Sequence, residues 1–386
     1  MKNLCFLILA LFVAQTVLYA SPQTLYNQAY GIVENNYFDI NDSENNLKDW
    51  KTRYDGKLST YNDSYVAIET FVETLSDKYT RFLRPEEKSI EQQIISSEYE
   101  GYGLELSKKR VCRISPTKNS PAEKAGIMHN DILTEINKTS VSEKNLNEIC
   151  DLIDQINPAP LNLKIKRKGE TKTFTVNKGK IIVSSISQTA PFGTKIPDNI
   201  GYFYISSFND KYVSEEFYAL MKKNLNKDGY IIDLRGNGGG IVKYAAEIAN
   251  MFLKNKKIFT MIDAKGNSKT YDANEHLLTD KPLVVLINGS SASASEILSG
   301  ALQDNKRAVI VGEKSFGKGI MQKRFDLENG CGIRVTVDKY LTPNGNYIHH
   351  KGITPDVEVK LTKFDALIHN DKHLKKALKI ICSKHI

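Results

Sequence analysis

From Ile182 onward the sequence predicts an α/β layer architecture, on three observations. Apolar β-type runs at 201–205, 230–234 and 283–287 alternate with helical stretches near 242–253 and 294–302. Two of the runs end in small-residue turns that open the following helix. Alternation of this kind builds a sheet covered by helices. The chain has 386 residues, too many for one ordinary core, so further domains precede this layer.

The N-terminus differs in kind. Lys2 supplies a positive charge, residues 4–18 are almost entirely apolar, and Tyr19-Ala20-Ser21 offers a small residue before a cleavage point. This is a secretory signal pattern. It is short for a span of about 20 residues, although an uncleaved anchor stays open. The expectation is an exported, periplasmic or extracytoplasmic protein. Removal of the leader takes Cys5 with it and leaves Cys112, Cys150, Cys331 and Cys382. None forms a close C-x-x-C pair, which argues against a metal site, and disulfides and free thiols both stay open. The net charge of +8 is scattered among acids with no basic run, which reads as a solvated surface and excludes nucleic-acid binding as the expected role.

Residues 21–97 read as helical, with Val66, Ile68, Phe71, Val72 and Leu75 at helical spacing and Arg84-Pro85-Glu86-Glu87 opening another helix. Residues 99–180 change character. Short β runs at 104–106, 132–136, 161–165 and 171–176 mix with helical stretches at 122–126 and 146–156. Tyr99-Glu100-Gly101-Tyr102-Gly103-Leu104 lets successive backbone amides converge into a nest for a carboxylate, or makes a plain tight turn. Asn119-Ser120-Pro121-Ala122-Glu123-Lys124-Ala125-Gly126-Ile127, followed by Asn130-Asp131-Ile132-Leu133, resembles a PDZ domain. That resemblance implies that the amides of Tyr102, Gly103 and Leu104 hold a substrate's C-terminal carboxylate.

Three segments carry chemistry. In Asn288-Gly289-Ser290-Ser291-Ala292-Ser293-Ala294-Ser295-Glu296, an apolar run feeds a serine turn at a helix start, where amides and the helix dipole favour negative charge. The same turn also suits an N-cap serine, and several serines in a row do not say which one acts. In Gly312-Glu313-Lys314-Ser315-Phe316-Gly317-Lys318-Gly319, a lysine stands between glycines beside apolar Phe316, Ile320 and Met321. Desolvation there favours the neutral amine, a base for a serine proton, although alone the segment also suits a phosphate-contacting glycine loop or an ordinary surface turn. G-x-x-x-x-G-K-[ST] is not matched, because Gly319 follows Lys318. Ile231-Ile232-Asp233-Leu234-Arg235-Gly236-Asn237-Gly238-Gly239-Gly240 ends a strand in a glycine turn whose amides suit an oxyanion, or a mere strand–helix connection.

Together these segments resemble the carboxyl-terminal processing peptidases, or tail-specific proteases, which are Ser/Lys-dyad serine peptidases. The likeness extends to Leu75-Ser76-Asp77-Lys78-Tyr79 and to Lys351-Gly352-Ile353-Thr354-Pro355-Asp356. It selects Ser293, which lies three residues before Glu296 and 25 before Lys318. It implies that Gln322 orients Lys318, that amides near Gly239 and Ala294 form the oxyanion hole, and that Asp304 is structural. It also implies the fold: a crotonase/Clp-protease-like α/β peptidase core with an inserted PDZ domain (α+β) and an N-terminal helical region. The expected division is a signal peptide at 1–20, the helical region at 21–97, the PDZ domain at 98–181, the peptidase core at 182–370 and a tail at 371–386. No metal or other cofactor is implied. The expected partners are protein or peptide substrates with free C-termini, with a homodimer or regulatory partner left open.

Two rival functions remain. One is a catalytically silent PDZ scaffold on a peptidase fold; an intact Ser293, Lys318 and Gln322 set argues against it. The other is a dinucleotide or acyl-CoA enzyme, which lacks its fingerprint here.

Overall fold

The computed structural model describes residues 21–38, 47–75, 77–96, 98–182, 184–190 and 194–383. The leader at 1–20 and Cys5 lie outside the described residues. The chain divides into two compact units, the first comprising Met1–Lys88 with Gln322–Thr336 and the second Ser89–Met321 with Val337–Ile386.

The first unit holds α1 (Pro22–Asn36), α2 (Leu47–Lys51), α3 (Tyr61–Glu73), β1 (Arg81–Leu83) and the start of α4 (Pro85–Ser96). Ser21 and Thr60 cap α1 and α3 through their side chains, and Asp63 completes a capping box. Ile68, Phe71, Val72 and Leu75 are buried at the i, i+3, i+4, i+7 positions of one face, but Val66 falls off that face and is 50% exposed. Phe71 packs against Tyr26, Tyr30 and Trp50. The helical expectation for 21–97 misses β1, whose partner is 332–334, far away in sequence.

In the second unit, β2 (Glu98–Gly101) leads into a small module of β3 (Leu104–Lys108), β4 (Cys112–Pro116), α5 (Pro121–Lys124), β5 (Asp131–Ile136), β6 (Thr139–Ser140), α6 (Leu146–Ile156), β7 (Leu161–Arg167) and β8 (Glu170–Val176). Its sheet runs β3-β4-β5-β7-β8, with β3 at an edge. β9 (Gly179–Ile182) leaves the module and pairs antiparallel with β2, Gly101 opposite Gly179. Entry and exit strands therefore form one ribbon. Glu98 ties that ribbon to the core: its carboxylate meets Lys180 at 2.8 Å, Lys211 at 2.9 Å and the Tyr212 hydroxyl at 2.9 Å. The Lys180 and Lys211 ammoniums hold this carboxyl down at about 2.

The core follows as β10 (Ile186–Ser187), β11 (Ile200–Ile205), α7 (Val213–Lys223), β12 (Gly229–Asp233), α8 (Val242–Asn250), β13 (Lys257–Asp263), β14 (Ser268–Asp272), β15 (Leu283–Ile287), α9 (Ala294–Asp304), β16 (Val309–Gly312), β17 (Ile320–Asp326), β18 (Gly332–Leu341), β19 (Val357–Glu358), α10 (Lys363–Leu367) and α11 (Lys372–Ser383). The main sheet has the order β10-β11-β12-β15-β16-β19 and is parallel from β11 onward. Both faces are covered, which is why its strands read as unbroken apolar runs. Along β15, Leu283, Val285 and Ile287 face the cluster that includes α8 and α9, while Val284 and Leu286 face Leu374, Ala377 and Ile381 of α11. The hairpin β13–β14 pairs with residues 338–341 of β18 in a second, antiparallel layer that the sequence reading does not contain. The α/β expectation is otherwise met.

Among the described residues, no helix is long and apolar enough to cross a membrane. Cys112, Cys150, Cys331 and Cys382 are free thiols.

Candidate active site

The three motif segments leave the carboxyl ends of three neighbouring parallel strands: the glycine turn after β12, the serine turn after β15 and the lysine loop after β16. In open α/β sheets this end is where ligands bind.

The serine turn is braced from below. The Ser291 hydroxyl donates to Leu234 O at 2.9 Å and accepts from the Asn288 N–H at 3.0 Å. The Ser295 hydroxyl donates to Asn237 O at 2.9 Å. Both serines are fully buried. Ser293 is different: its backbone sits at φ 55°, ψ −115°, outside the left-handed well. A non-glycine residue held there costs of order 1–3 kcal/mol and persists only where the surroundings over-determine it. Strained strand-to-helix turns of this kind lift a hydroxyl clear of the chain. Ser293 is 7% exposed.

Glu296, fully buried, supplies much of the over-determination. Its Oε2 accepts from the N–H groups of Ser293 and Lys318, both at 2.8 Å. Its Oε1 accepts from the Gly317 N–H at 2.7 Å and the Ser315 hydroxyl at 2.5 Å. One carboxylate thus pins the lysine loop to the start of α9. Glu296→Ala leaves four donors without this acceptor, three of them buried, at about 1–3 kcal/mol for each buried one. The expected result is a stability loss of at least about 3 kcal/mol in urea unfolding, larger than a surface Glu→Ala change gives.

The glycine turn presses against Ser293. A Cβ on Gly239 would stand 2.8 Å from Ser293 Cβ and 2.7 Å from Ala292 O, at a φ of 101° that favours glycine. The Gly239 N–H donates to Asn237 Oδ1 at 2.8 Å. The Ala294 N–H, in the first turn of α9, has no acceptor among the described residues. Asn237 is buried and ties the two turns together: its carbonyl accepts from Ala292 N–H at 3.0 Å, and its Nδ2 donates to Ile205 O at 2.9 Å. Upstream, Arg235 bridges Asp233 and Asp371, with Nη1 2.7 Å from Asp371 Oδ1. Burial alone would raise the Asp371 carboxyl, but the Arg235 guanidinium overrides it and holds the group below the usual carboxylate range.

Lys318 is half-buried between glycines, and a Cβ on Gly319 would stand 2.7 Å from His349 N. Phe316, expected to shield the lysine, is 49% exposed, whereas Ile320 is buried. Its loop is drawn toward the serine turn by the Phe316 N–H, which donates to Ser291 O at 3.0 Å. The Gln322 amide donates to Thr336 Oγ1 at 3.1 Å. Asp304 closes α9 and accepts from the Thr342 hydroxyl, a bracing contact. Sequence reasoning missed Asn237 and Tyr340. The Tyr340 hydroxyl donates to Lys318 O at 2.5 Å and lies 3.2 Å from Ser293 O.

In the small module, the Tyr102 and Gly103 carbonyls accept from Ala122 and Thr117, both at 2.9 Å, while the amides of Tyr102 and Gly103 have no acceptor among the described residues. Leu104 opens the edge strand β3, and Leu104, Leu106, Leu152, Ile153 and Ile156 are partly buried against the module's core.

Comparison with known proteins accords with this architecture. Residues 199–359 match Peptidase family S41, and residues 114–167 match the PDZ domain. A carboxyl-terminal-processing protease of Synechocystis sp. is 34% identical over 356 residues, covering 90% of this chain and 83% of that protein. A probable CtpA-like serine protease of Staphylococcus aureus is 33% identical over 355 residues, covering 89% and 70%. The solved photosystem II D1 C-terminal processing protease is 27% identical, with a TM-score of 0.54 and coverage of 88% and 93%. These matches define a serine peptidase with a PDZ domain, acting on protein or peptide substrates. The chain belongs to peptidase family S41, among the carboxyl-terminal-processing proteases.

Proposed function

We propose that this chain is an exported endopeptidase that grips substrate C-termini in its PDZ domain and cleaves with a Ser293/Lys318 dyad. The observation that carries the reading is Ser293 in its strained turn, held to the Lys318 loop by one buried carboxylate. Ser293 Oγ attacks the scissile carbonyl carbon while neutral Lys318 Nζ takes the hydroxyl proton. Collapse of the tetrahedral intermediate breaks the C–N bond, and the Lys318 ammonium returns the proton to the leaving amine. Water then releases the acyl group by the same proton path. The Ala294 amide serves the oxyanion without rearrangement, and the Gly239 amide joins it on leaving Asn237 Oδ1. Gln322 orients the lysine. Export rests on the charge, apolar run and small residue at 1–20, and the division given from sequence assigns the PDZ domain to 98–181 and the peptidase core to 182–370.

Substrate gripping rests on the free amides of Tyr102 and Gly103 beside the edge strand β3, a nest for a carboxylate next to a strand that can pair with an extended peptide. Amidating the C-terminus of an apolar-tailed polypeptide removes charge-assisted hydrogen bonds worth about 1.5–3 kcal/mol. The expected result is a kcat/KM about 10- to 100-fold lower for the amidated substrate, followed by mass spectrometry of the products. Equal rates for both substrates would remove tail recognition and leave the dyad standing.

A further inference from the structure

We propose that Tyr340 is a positioning residue of the peptidase reaction, its buried hydroxyl setting the spacing of Ser293 and Lys318. The inference rests on the reading of those two residues as the reacting pair. It comes from how their peptide groups are held. The N–H groups of both residues converge on one acceptor, Glu296 Oε2. The carbonyls of the same two residues converge on one donor, the Tyr340 hydroxyl, at 3.2 Å from Ser293 O and 2.5 Å from Lys318 O. The two main chains are therefore gripped from both sides. The Tyr340 N–H adds a further tie, donating to Gly319 O at 3.0 Å.

Several features suit Tyr340 to this task. It lies on β18, in register with Met261 of β13, so its ring is carried by a paired strand rather than by a loop. It is fully buried, with no solvent to compete for its proton. Burial, reinforced by the nearby Glu296 charge, pushes the phenol well above its usual range, so it stays a donor across neutral and alkaline pH. The residue just past the end of the same strand ties the far end of α9, where Thr342 donates to Asp304. Only the Tyr340 contact touches the reacting pair, which provides a control.

The test uses the full chain, with Ser293 counted by a fluorophosphonate that labels activated serines. Tyr340→Phe removes one oxygen and keeps the ring. Its kcat per labelled site should fall about 10- to 100-fold with KM within about twofold, because displacements near 1 Å cost that much in a positioned reaction. Thr342→Val, which loses a comparable hydrogen bond at the other end of α9, should keep kcat per labelled site within about twofold. The proposal is overturned if Tyr340→Phe keeps its kcat per site, if its loss only tracks a loss of labelled sites, or if Thr342→Val slows equally. A wild-type chain that cleaves peptide yet is not labelled at Ser293 strikes the dyad reading, and with it the pair that Tyr340 is held to space. A labelled chain with unaltered Tyr340→Phe turnover strikes Tyr340 alone.

Discussion

Ser293→Ala is expected to lower kcat by on the order of 10⁵- to 10⁶-fold, the loss seen when an activated serine is removed from an assembled site. The fold should be indifferent to it. The Ser293 main chain stays anchored to Glu296 Oε2, and alanine keeps the Cβ that packs against Gly239. Unfolding free energy should therefore change by no more than about 0.5 kcal/mol. Ser291→Ala should behave in the opposite way. It strips the Asn288 amide of its acceptor and takes one of two donors from the Leu234 carbonyl, which keeps the Asn237 N–H at 3.1 Å, costs about 1–3 kcal/mol, and retains most of the turnover at temperatures where the chain stays folded. Paired measurements of peptide cleavage and urea unfolding separate the two serines. A fully active Ser293→Ala chain removes the nucleophile assignment.

Lys318→Arg should also be severely damaging, with kcat lower by about 10²- to 10⁴-fold. Its main-chain contacts, to Glu296 and Tyr340, survive the substitution. What is lost is the ability to become neutral, since a guanidinium does not give up its proton in the working range. The pH profile follows with a definite sign. The base must shed its own proton before it can take one from Ser293, so the rate rises with pH as Lys318 titrates. Free lysine titrates near ~10.4 and histidine near ~6.5, so a lysine base places the rising limb well to the alkaline side of a histidine one. The rival is concrete. His349 Nδ1 accepts from the Gly319 N–H at 3.3 Å, one residue from Lys318. A limb near ~6.5 that disappears in His349→Gln, or a robustly active Lys318→Arg enzyme, would move the base to that ring.

The main sheet was legible because its strands are buried on both sides and so appear as unbroken apolar runs; Leu283–Ile287 needed no partner to be recognised. The serine turn and lysine loop were legible through spacing, since Glu296 and the glycines around Lys318 mark fixed distances along the chain. Features that depend on distant pairing were not. β1 is three residues long and exists only through its register with 332–334. In the second layer, β13 and β14 show no alternation of buried and exposed positions, so they carry little periodic signal. Arg235 meets Asp371 across 136 positions, and nothing local to either residue announces the pair. Tyr340 looks like any aromatic on a strand until its hydroxyl is seen between two carbonyls. Phe316 failed for a related reason: adjacency in sequence suggested a shield, while the loop's turn exposes the ring. Val66 shows the same limit in a helix, being apolar but one step off the packed face.

The ribbon of β2 and β9 has a consequence for how such an enzyme acquires new targets. The binding module enters and leaves the core side by side, with Gly101 facing Gly179 across a single ladder, where neighbouring strands stand about 5 Å apart. Modules with adjacent termini are the ones that tolerate transplantation, because the host chain feels the insertion as one short turn. Everything proposed to perform the chemistry, from the glycine turn to Tyr340, lies outside the excised stretch. Recombination between two genes at the codons for these paired strands therefore exchanges the reader while sparing the blade. In such an exchange the hydrolytic apparatus stays whole, and only the module proposed to select polypeptide ends is renewed.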